Sequence, residues 1–376
     1  MTSEESPDAD AEAVTDLDGA SAETVRRALA ERDPLPGTAG FAGVVDGCLV
    51  RDVLGRRPLF SEADDVRTWS ARPTDLCDPV AVPAGTVRDE NGERRVWSLP
   101  DPPARTDRAR ALSAVGEAVR ESVRAVDADG LAVAFSGGVD SALVAAGVPD
   151  APCYVAGFPD SHDVAAARDA AAAMDRDLRV VELTHADLRR AVPDVVRATG
   201  RTNAMDVSIA LTFYLVGERA AADGFDRLAV GQGADELFGG YAKVVSPGDD
   251  HRVAADTVRG ARDETIETLP DQLERDVLAL RAAGVEPVAP LLEDRVIRAA
   301  LPLPGDLVAA DGERKVALRR AAADLLPASV VGVEKKAAQY GSLVSRELDR
   351  LARRAGFKRR MDDHVGRYVR SLIDKS

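Results

Sequence analysis

Lysine is nearly missing: six Lys stand against 43 Arg in 376 residues. Aromatic residues make up 4% of the chain, and there are three cysteines and four histidines. Each shortage excludes something. A core so poor in aromatics must be built from Ala, Val and Leu, and a hydrophobic content of 45% supplies them. Cys48, Cys77 and Cys153 lie far apart and are odd in number. Neither a zinc site nor a disulfide framework can be read from them, and three reduced thiols are expected. His162, His185, His251 and His364 are scattered, so they suggest no metal cluster and no Ser/His/Asp triad. No run approaches ~18 apolar residues, which excludes a membrane-spanning helix. The opening MTSEESPDADAEA is acidic and lacks the apolar stretch of a signal peptide. A cytoplasmic protein is expected.

What is abundant is negative charge. There are 43 Asp and 21 Glu, and the net charge is −15. A surface rich in Asp and poor in Lys suits concentrated salt, where self-repulsion is screened within ~3 Å at 1 M. GC-rich codon usage is the bland alternative. Either way, the acidity argues against nucleic acid as a partner. It also makes each lysine informative, because the background rarely supplies one.

Residues 1–36 hold ten acidic and three basic side chains, and read as a disordered acidic tail with a short helix near Ala22–Ala30. Residues 37–103 contain short β segments separated by Gly, Pro, Asn and Asp turns, a small β-rich domain. From 104 to 376 the pattern changes. The apolar runs LAVAF, CYVAGF, LRVVELT and RLAVG alternate with Ala-rich amphipathic stretches, the pattern of an α/β fold with a parallel sheet. Beyond Tyr241 the chain reads as helical to its end. The segment 346–375 carries ten basic and five acidic residues. It reads as a helix lying on the acidic body, with a nucleotide clamp as the functional alternative.

Two stretches carry chemistry. In the first, a buried strand runs into Ser136-Gly137-Gly138-Val139-Asp140-Ser141 and a helix follows at once. Unsatisfied N–H groups at a helix start bind anions, and glycines let backbone approach a phosphate. Asp140 would repel phosphate unless a cation stood between them, and Mg²⁺ is the hard, oxygen-seeking candidate. The loop is not GxxxxGK[ST]. Its purely structural alternative is a turn capped by Asp140 or Ser141. In the second stretch, RLAVG leads into Gly231-Gln232-Gly233, then Asp235-Glu236 and Gly239-Gly240-Tyr241. Adjacent carboxylates at a glycine-rich strand end again fit a bound Mg²⁺.

Together these stretches resemble the asparagine synthetase family in its ATP-consuming synthetase domain. SGGVDS is shared with the wider set of pyrophosphate-loop enzymes, and GQGADELFGGY is narrower. YVAGFPDSHDVAAARDAA, NAMDVSIALTFYLV, LERDVLALRAAGVEPVAPLLEDRVI and LPASVVGVEKKAAQYGS are similar to further family segments, in order. VRDVLGRRPLF at 50–60 is similar to a hairpin of the family's glutaminase domain. That domain normally begins with a catalytic cysteine after Met1. Position 2 is Thr2 and the front half of the domain is lacking, so a working glutaminase is not expected.

The resemblance implies a PP-loop sheet of the adenine-nucleotide α-hydrolase type, a helical C-terminal lobe and a β-rich remnant. It implies that ATP activates the aspartate side chain as an acyl-adenylate, which ammonia then aminates. Ser136, Gly137, Gly138, Asp140 and Ser141 would bind pyrophosphate, and Gly233 belongs to the second phosphate-facing loop. Asp140 and Asp235 would hold Mg²⁺. Phe135, Ala156 and Gly231 would line adenine and ribose. Lys335 or Lys336 would neutralise the α-phosphate. Asp206 and Glu286 would reach the substrate pocket. Small-molecule substrates, a separate glutaminase subunit and a homodimer are the expected partners. Three positions depart from the pattern. Gln232 stands where the family often has an acid that helps deprotonate the amine. Val288 replaces an Arg, and Glu293 an Asp. An amide cannot act as a base. Amidation of another carboxylate, or a non-catalytic nucleotide-binding regulator, therefore stay open.

Overall fold

A computed structural model describes residues 15–250, 252–333 and 342–373. The larger body is built on five parallel strands: β9 (Leu131–Ala134), β10 (Cys153–Gly157), β11 (Leu178–Glu182), β12 (Arg227–Ala229) and β13 (Glu286–Val288). Their order is β11-β10-β9-β12-β13. The first four form where the apolar runs placed them. β13 does not follow the expectation of helix throughout beyond Tyr241. It is three residues long with Pro287 at its centre, too short for a periodic signal. A proline is tolerated there because β13 is an edge strand.

Helix α2 (Arg108–Arg124) precedes the first strand, α3 (Val139–Gly147), α4 (His162–Ala173), α5 (His185–Thr199), α6 (Ala204–Ala222) and α7 (Ala234–Phe238) come after strands, and together they cover the sheet. Two apolar clusters form its faces, one around Val115, Val133, Leu143 and Leu237, the other around Tyr154, Val192, Leu211 and Leu280. Val, Ala and Leu dominate both, as the scarcity of aromatics requires. Among the described residues no helix is long and apolar enough to cross a membrane.

The chain runs outward from β9 through β10 to β11, then returns to lay β12 on the other side of β9. That reversal opens a crevice at the carboxyl ends of β9 and β12, where ligands of open α/β sheets bind. Both glycine-rich stretches fall at this point.

The N-terminal lobe is an antiparallel sheet in the order β1 (Asp16–Asp18), β2 (Ala42–Val45), β3 (Cys48–Arg51), β7 (Thr86–Asp89) and β8 (Gly92–Arg95). A smaller sheet joins β4 (Phe60–Glu62), β5 (Trp69–Ser70) and β6 (Pro79–Ala81). Residues 15–36 are not a loose tail. β1 pairs with β2, helix α1 (Ala22–Glu31) is capped by Ser21, and Val25, Ala28 and Leu35 are buried. The apolar side of α1 outweighs the acidity that suggested disorder. The first 14 residues lie outside the described residues.

Arg56, from the VRDVLGRRPLF hairpin, ties the lobe to the larger body. Its Nε donates to Asp52 Oδ1 (2.8 Å), and its Nη1 to Asp294 Oδ1 (2.8 Å) and the Leu292 carbonyl (2.7 Å). All three side chains of this ion triad are buried. Removing the cation would strand two buried carboxylates, at a cost of ~3–5 kcal/mol. Arg56→Met is expected at the lower end of that range in urea denaturation, because backbone N–H groups also bind Asp52 and Asp294. A loss under ~1 kcal/mol would show that the triad does not couple the lobes.

The basic C-terminal segment pairs largely with its own acids. Arg353, Arg359 and His364 surround Asp349, and Arg350 meets Glu347. Leu348, Leu351, Val365 and Tyr368 are buried against the sheet's second face. This is the packed-helix reading of that segment.

Candidate functional site

Of the six helices around the parallel sheet, four begin with a side chain on their free N–H groups: Asp107 caps α2, Ser161 α4, Thr184 α5 and Asn203 α6. α3 and α7 do not. Each starts at a glycine, Gly138 or Gly233, with no side-chain cap. The two helix starts at the crevice thus leave their first-turn N–H groups without a side-chain acceptor, the arrangement that suits an anion.

Glycine is required at two of these positions by contact. Gly137 has φ +76°, and a Cβ there would run into the backbone of Ala166 and Ala167. Gly231 lies so close to α3 that a Cβ would sit 3.0 Å from Asp140 Cβ. The two loops therefore pack backbone against backbone. Ser141 Oγ accepts from the Ser136 N–H (3.1 Å) and donates to the Gly138 carbonyl (3.1 Å), which closes the first loop on itself.

Asp140 and Asp235 come from different loops and meet at one point, occupied by a lysine that the sequence reading did not select. Lys315 Nζ lies 2.6 Å from Asp140 Oδ2 and 2.7 Å from Asp235 Oδ1. Lys315 is buried and holds a left-handed backbone at φ 58° just ahead of the Val316–Ala322 helix. Burial alone would depress its ammonium, but the two carboxylates outweigh this and hold its pKa above the ordinary lysine value. Beside it Glu236 is buried and accepts from Tyr241 Oη (2.5 Å). Burial, then the charge of Asp235, lifts Glu236 to about 7.

Asp140, Asp235, Glu236 and Tyr241 rim a cavity of about 660 Å³. Phe135, Ser136, Asp140, Ser141, Ala156, Gly231, Gly233 and Asp235 all line it. Gln232 and Asp206 line it as well. Asp206 accepts from Arg275 Nη1 (2.7 Å) and Asn203 Nδ2 (2.7 Å). Burial works against its charge, yet these two partners hold its carboxyl below the usual range.

Glu286 is elsewhere. It binds Arg281 (2.7 and 2.8 Å) at the sheet edge and lines a smaller cavity of about 210 Å³ with Arg57, Val288 and Glu293. Its sequence neighbours suggested the substrate pocket, but the strand β13 carries it to the interface with the N-terminal lobe. Gln232 borders both cavities. Lys335 and Lys336 lie outside the described residues.

Sequence reasoning missed Lys315, Arg275 and Asp276. The scarcity argument applied to Lys315 as well as to the Lys335–Lys336 pair, but an arginine-rich context, GERKVALRR, concealed it. Arg275 and Asp276 fall in a stretch read only as helix, and no signal in the sequence marked them as buried.

Comparison with known proteins bears on this geometry. The asparagine synthase family profile matches residues 113–266 and 249–373, well over half of the chain. A Methanocaldococcus jannaschii protein named as a glutamine-hydrolysing asparagine synthetase is 28% identical over 306 residues, which is 70% of this chain and 54% of that protein. Asparagine synthetase B of Escherichia coli K12 is 25% identical over 342 residues, 81% of this chain and 61% of its own length. The chain thus spans between half and two thirds of the length of these two relatives. With its parallel sheet and paired glycine-rich loops, the chain belongs to the asparagine synthase family.

Proposed function

We propose that this chain is an ATP-dependent amide ligase that activates a carboxylate as an acyl-adenylate and aminates it, with the aspartate side chain as the first candidate substrate. The observation that carries this reading is the convergence of Asp140 and Asp235 on one cation at the mouth of the crevice. The Lys315 ammonium shows that the two carboxylates suit a positive charge between them. Two carboxylates plus substrate phosphates are also the usual ligands of Mg²⁺. Mg²⁺ held by Asp140 and Asp235 would draw negative charge from the ATP phosphates.

The remaining work falls to the chain's own residues. Gly137, Gly138 and the uncapped start of α3 receive the pyrophosphate, with Ser136 and Ser141 shaping the loop. Phe135, Ala156 and Gly231 seat the adenine and ribose. A carboxylate oxygen attacks the α-phosphorus as the bond to pyrophosphate breaks. Lys335 or Lys336 is the further cation proposed for the α-phosphate. Asp206, fixed by Arg275 and Asn203, lies on the far wall where the carboxylate substrate or its amino group is held. Catalysis of this kind is positioning plus stabilisation of phosphate charge. The test is a screen of carboxylates for Mg²⁺-dependent pyrophosphate release. Aspartate is expected to score. Another acid would shift the substrate and leave the reaction, whereas silence across the screen would favour a nucleotide-binding regulator.

Ammonium is the expected nitrogen source. Burial raises the thiols of Cys48 and Cys153 above the ordinary cysteine value, so neither is primed to attack glutamine. No cysteine lines the large cavity. Product should form with ammonium, and glutamine should give under a tenth of that rate in the purified chain. Equal rates with glutamine would mean that this chain carries its own glutaminase.

A further inference from the structure

Amidation of an acyl-adenylate releases a proton. The nitrogen lone pair forms the C–N bond, the C–O bond to AMP breaks, and one N–H proton must leave. Some group at the cavity has to take it. Asp140 and Asp235 are committed to a cation, and Asp206 is held by Arg275 and Asn203. Glu236 accepts from Tyr241.

Asp276 differs. It sits on the Leu269–Ala282 helix, is 4% exposed and lines the cavity. Its Oδ1 accepts from Arg275 Nε (2.7 Å), and its Oδ2 accepts from Gln232 Nε2 (2.5 Å). Gln232 follows Gly231 at the end of β12, between the phosphate loop and the far wall. A carboxylate can only accept, so Asp276 fixes which way the Gln232 carboxamide faces. The nitrogen turns to Asp276, and the carbonyl oxygen is left to accept from an N–H donor such as an amine.

We propose that Asp276 is the base that takes the proton of the incoming amine, with Gln232 as the carboxamide that holds the amine beside it. This rests on the amide-ligase reading. The carboxylate needed next to the amine is supplied from the helix while the strand end carries an amide. Burial also lifts the Asp276 carboxyl above its usual range, against the pull of Arg275 and Gln232, which makes it a better proton acceptor. Arg275 binds Asp206 and Asp276 at once and so fixes the distance between substrate wall and base.

The experiment uses the full chain with ATP, Mg²⁺, aspartate and ammonium chloride. Two rates are measured: ATP–pyrophosphate exchange, which reports adenylation, and asparagine formation. Asp276→Asn should lower asparagine formation at least ~50-fold more than it lowers exchange. Adding Gln232→Glu to that variant, which returns a carboxylate to the pair from the other side, should recover at least about tenfold. A parallel fall of both rates, or no recovery, would make Asp276 a structural brace and overturn the inference. Should Asp276→Asn alone fail to fold, the double variant still decides. It keeps one carboxylate against one carboxamide, and a collapsed ratio of amide formation to exchange in the folded double variant would also overturn the inference. Absence of exchange with aspartate or any other carboxylate of the screen in the unaltered chain would instead overturn the amide-ligase reading, and the inference with it.

Discussion

Asp140→Asn should lower Mg²⁺-dependent pyrophosphate release by about 10³-fold, ~4 kcal/mol in barrier. The substitution keeps the shape of the side chain and removes one of the two charges that converge at the mouth of the crevice. Asp235 is the weaker of the two anchors, since its side chain is 46% exposed against 22% for Asp140. A metal held by Asp235 alone would be poorly positioned, and the phosphate charge would go unbalanced. The fold should survive. Lys315 keeps Asp235 as a partner, and the loop closure by Ser136, Gly138 and Ser141 does not involve the Asp140 carboxylate. Near-ultraviolet circular dichroism would check this. Pyrophosphate release within threefold of the unaltered chain would remove Asp140 from the metal site.

Lys315→Met should destabilise the metal-free protein by about 2–3 kcal/mol. Removing one member of a buried pair usually costs 3–5 kcal/mol, and the exposure of Asp235 discounts that figure. Two carboxylates held at one point without a cation repel each other, and the backbone pays for a left-handed residue without the ion pairs that hold it. The informative part is the response to Mg²⁺. If Asp140 and Asp235 form the metal site, the variant should regain most of its melting temperature in Mg²⁺ and gain more than the unaltered chain, which must first give up its own ammonium. An equal Mg²⁺ response in both proteins would separate the lysine's position from the metal's.

Much of this site was legible because its chemistry is local. SGGVDS and GQGADE each place glycine, carboxylate and helix start within a few residues, and strand alternation put both in one sheet. The β-strand ends then had to meet, given the order of a doubly connected parallel sheet. The parts that were not legible depend on long-range contact. Lys315 reaches Asp140 across 175 residues of chain. The Gln232–Asp276 contact spans 44 residues and joins a strand end to a distant helix. Glu286 shows the converse. Its motif was read correctly as a segment, but three residues of unexpected strand carried its side chain away from the cavity. In residues 15–36, local acidity suggested disorder, and pairing of β1 with β2 together with three buried apolar side chains decided otherwise.

The central claim, activation of a carboxylate at the α-phosphorus, is tested most directly by following oxygen. Aspartate labelled with ¹⁸O in its side-chain carboxylate is turned over with ATP, Mg²⁺ and ammonium, and the nucleotide product is examined by mass spectrometry. Attack on the α-phosphorus leaves one labelled oxygen on AMP for each amide formed, with unlabelled pyrophosphate, and this is the expected result. Label appearing in inorganic phosphate, with ADP as the nucleotide product, would mean that the carboxylate is activated at the γ-phosphorus and would contradict the account.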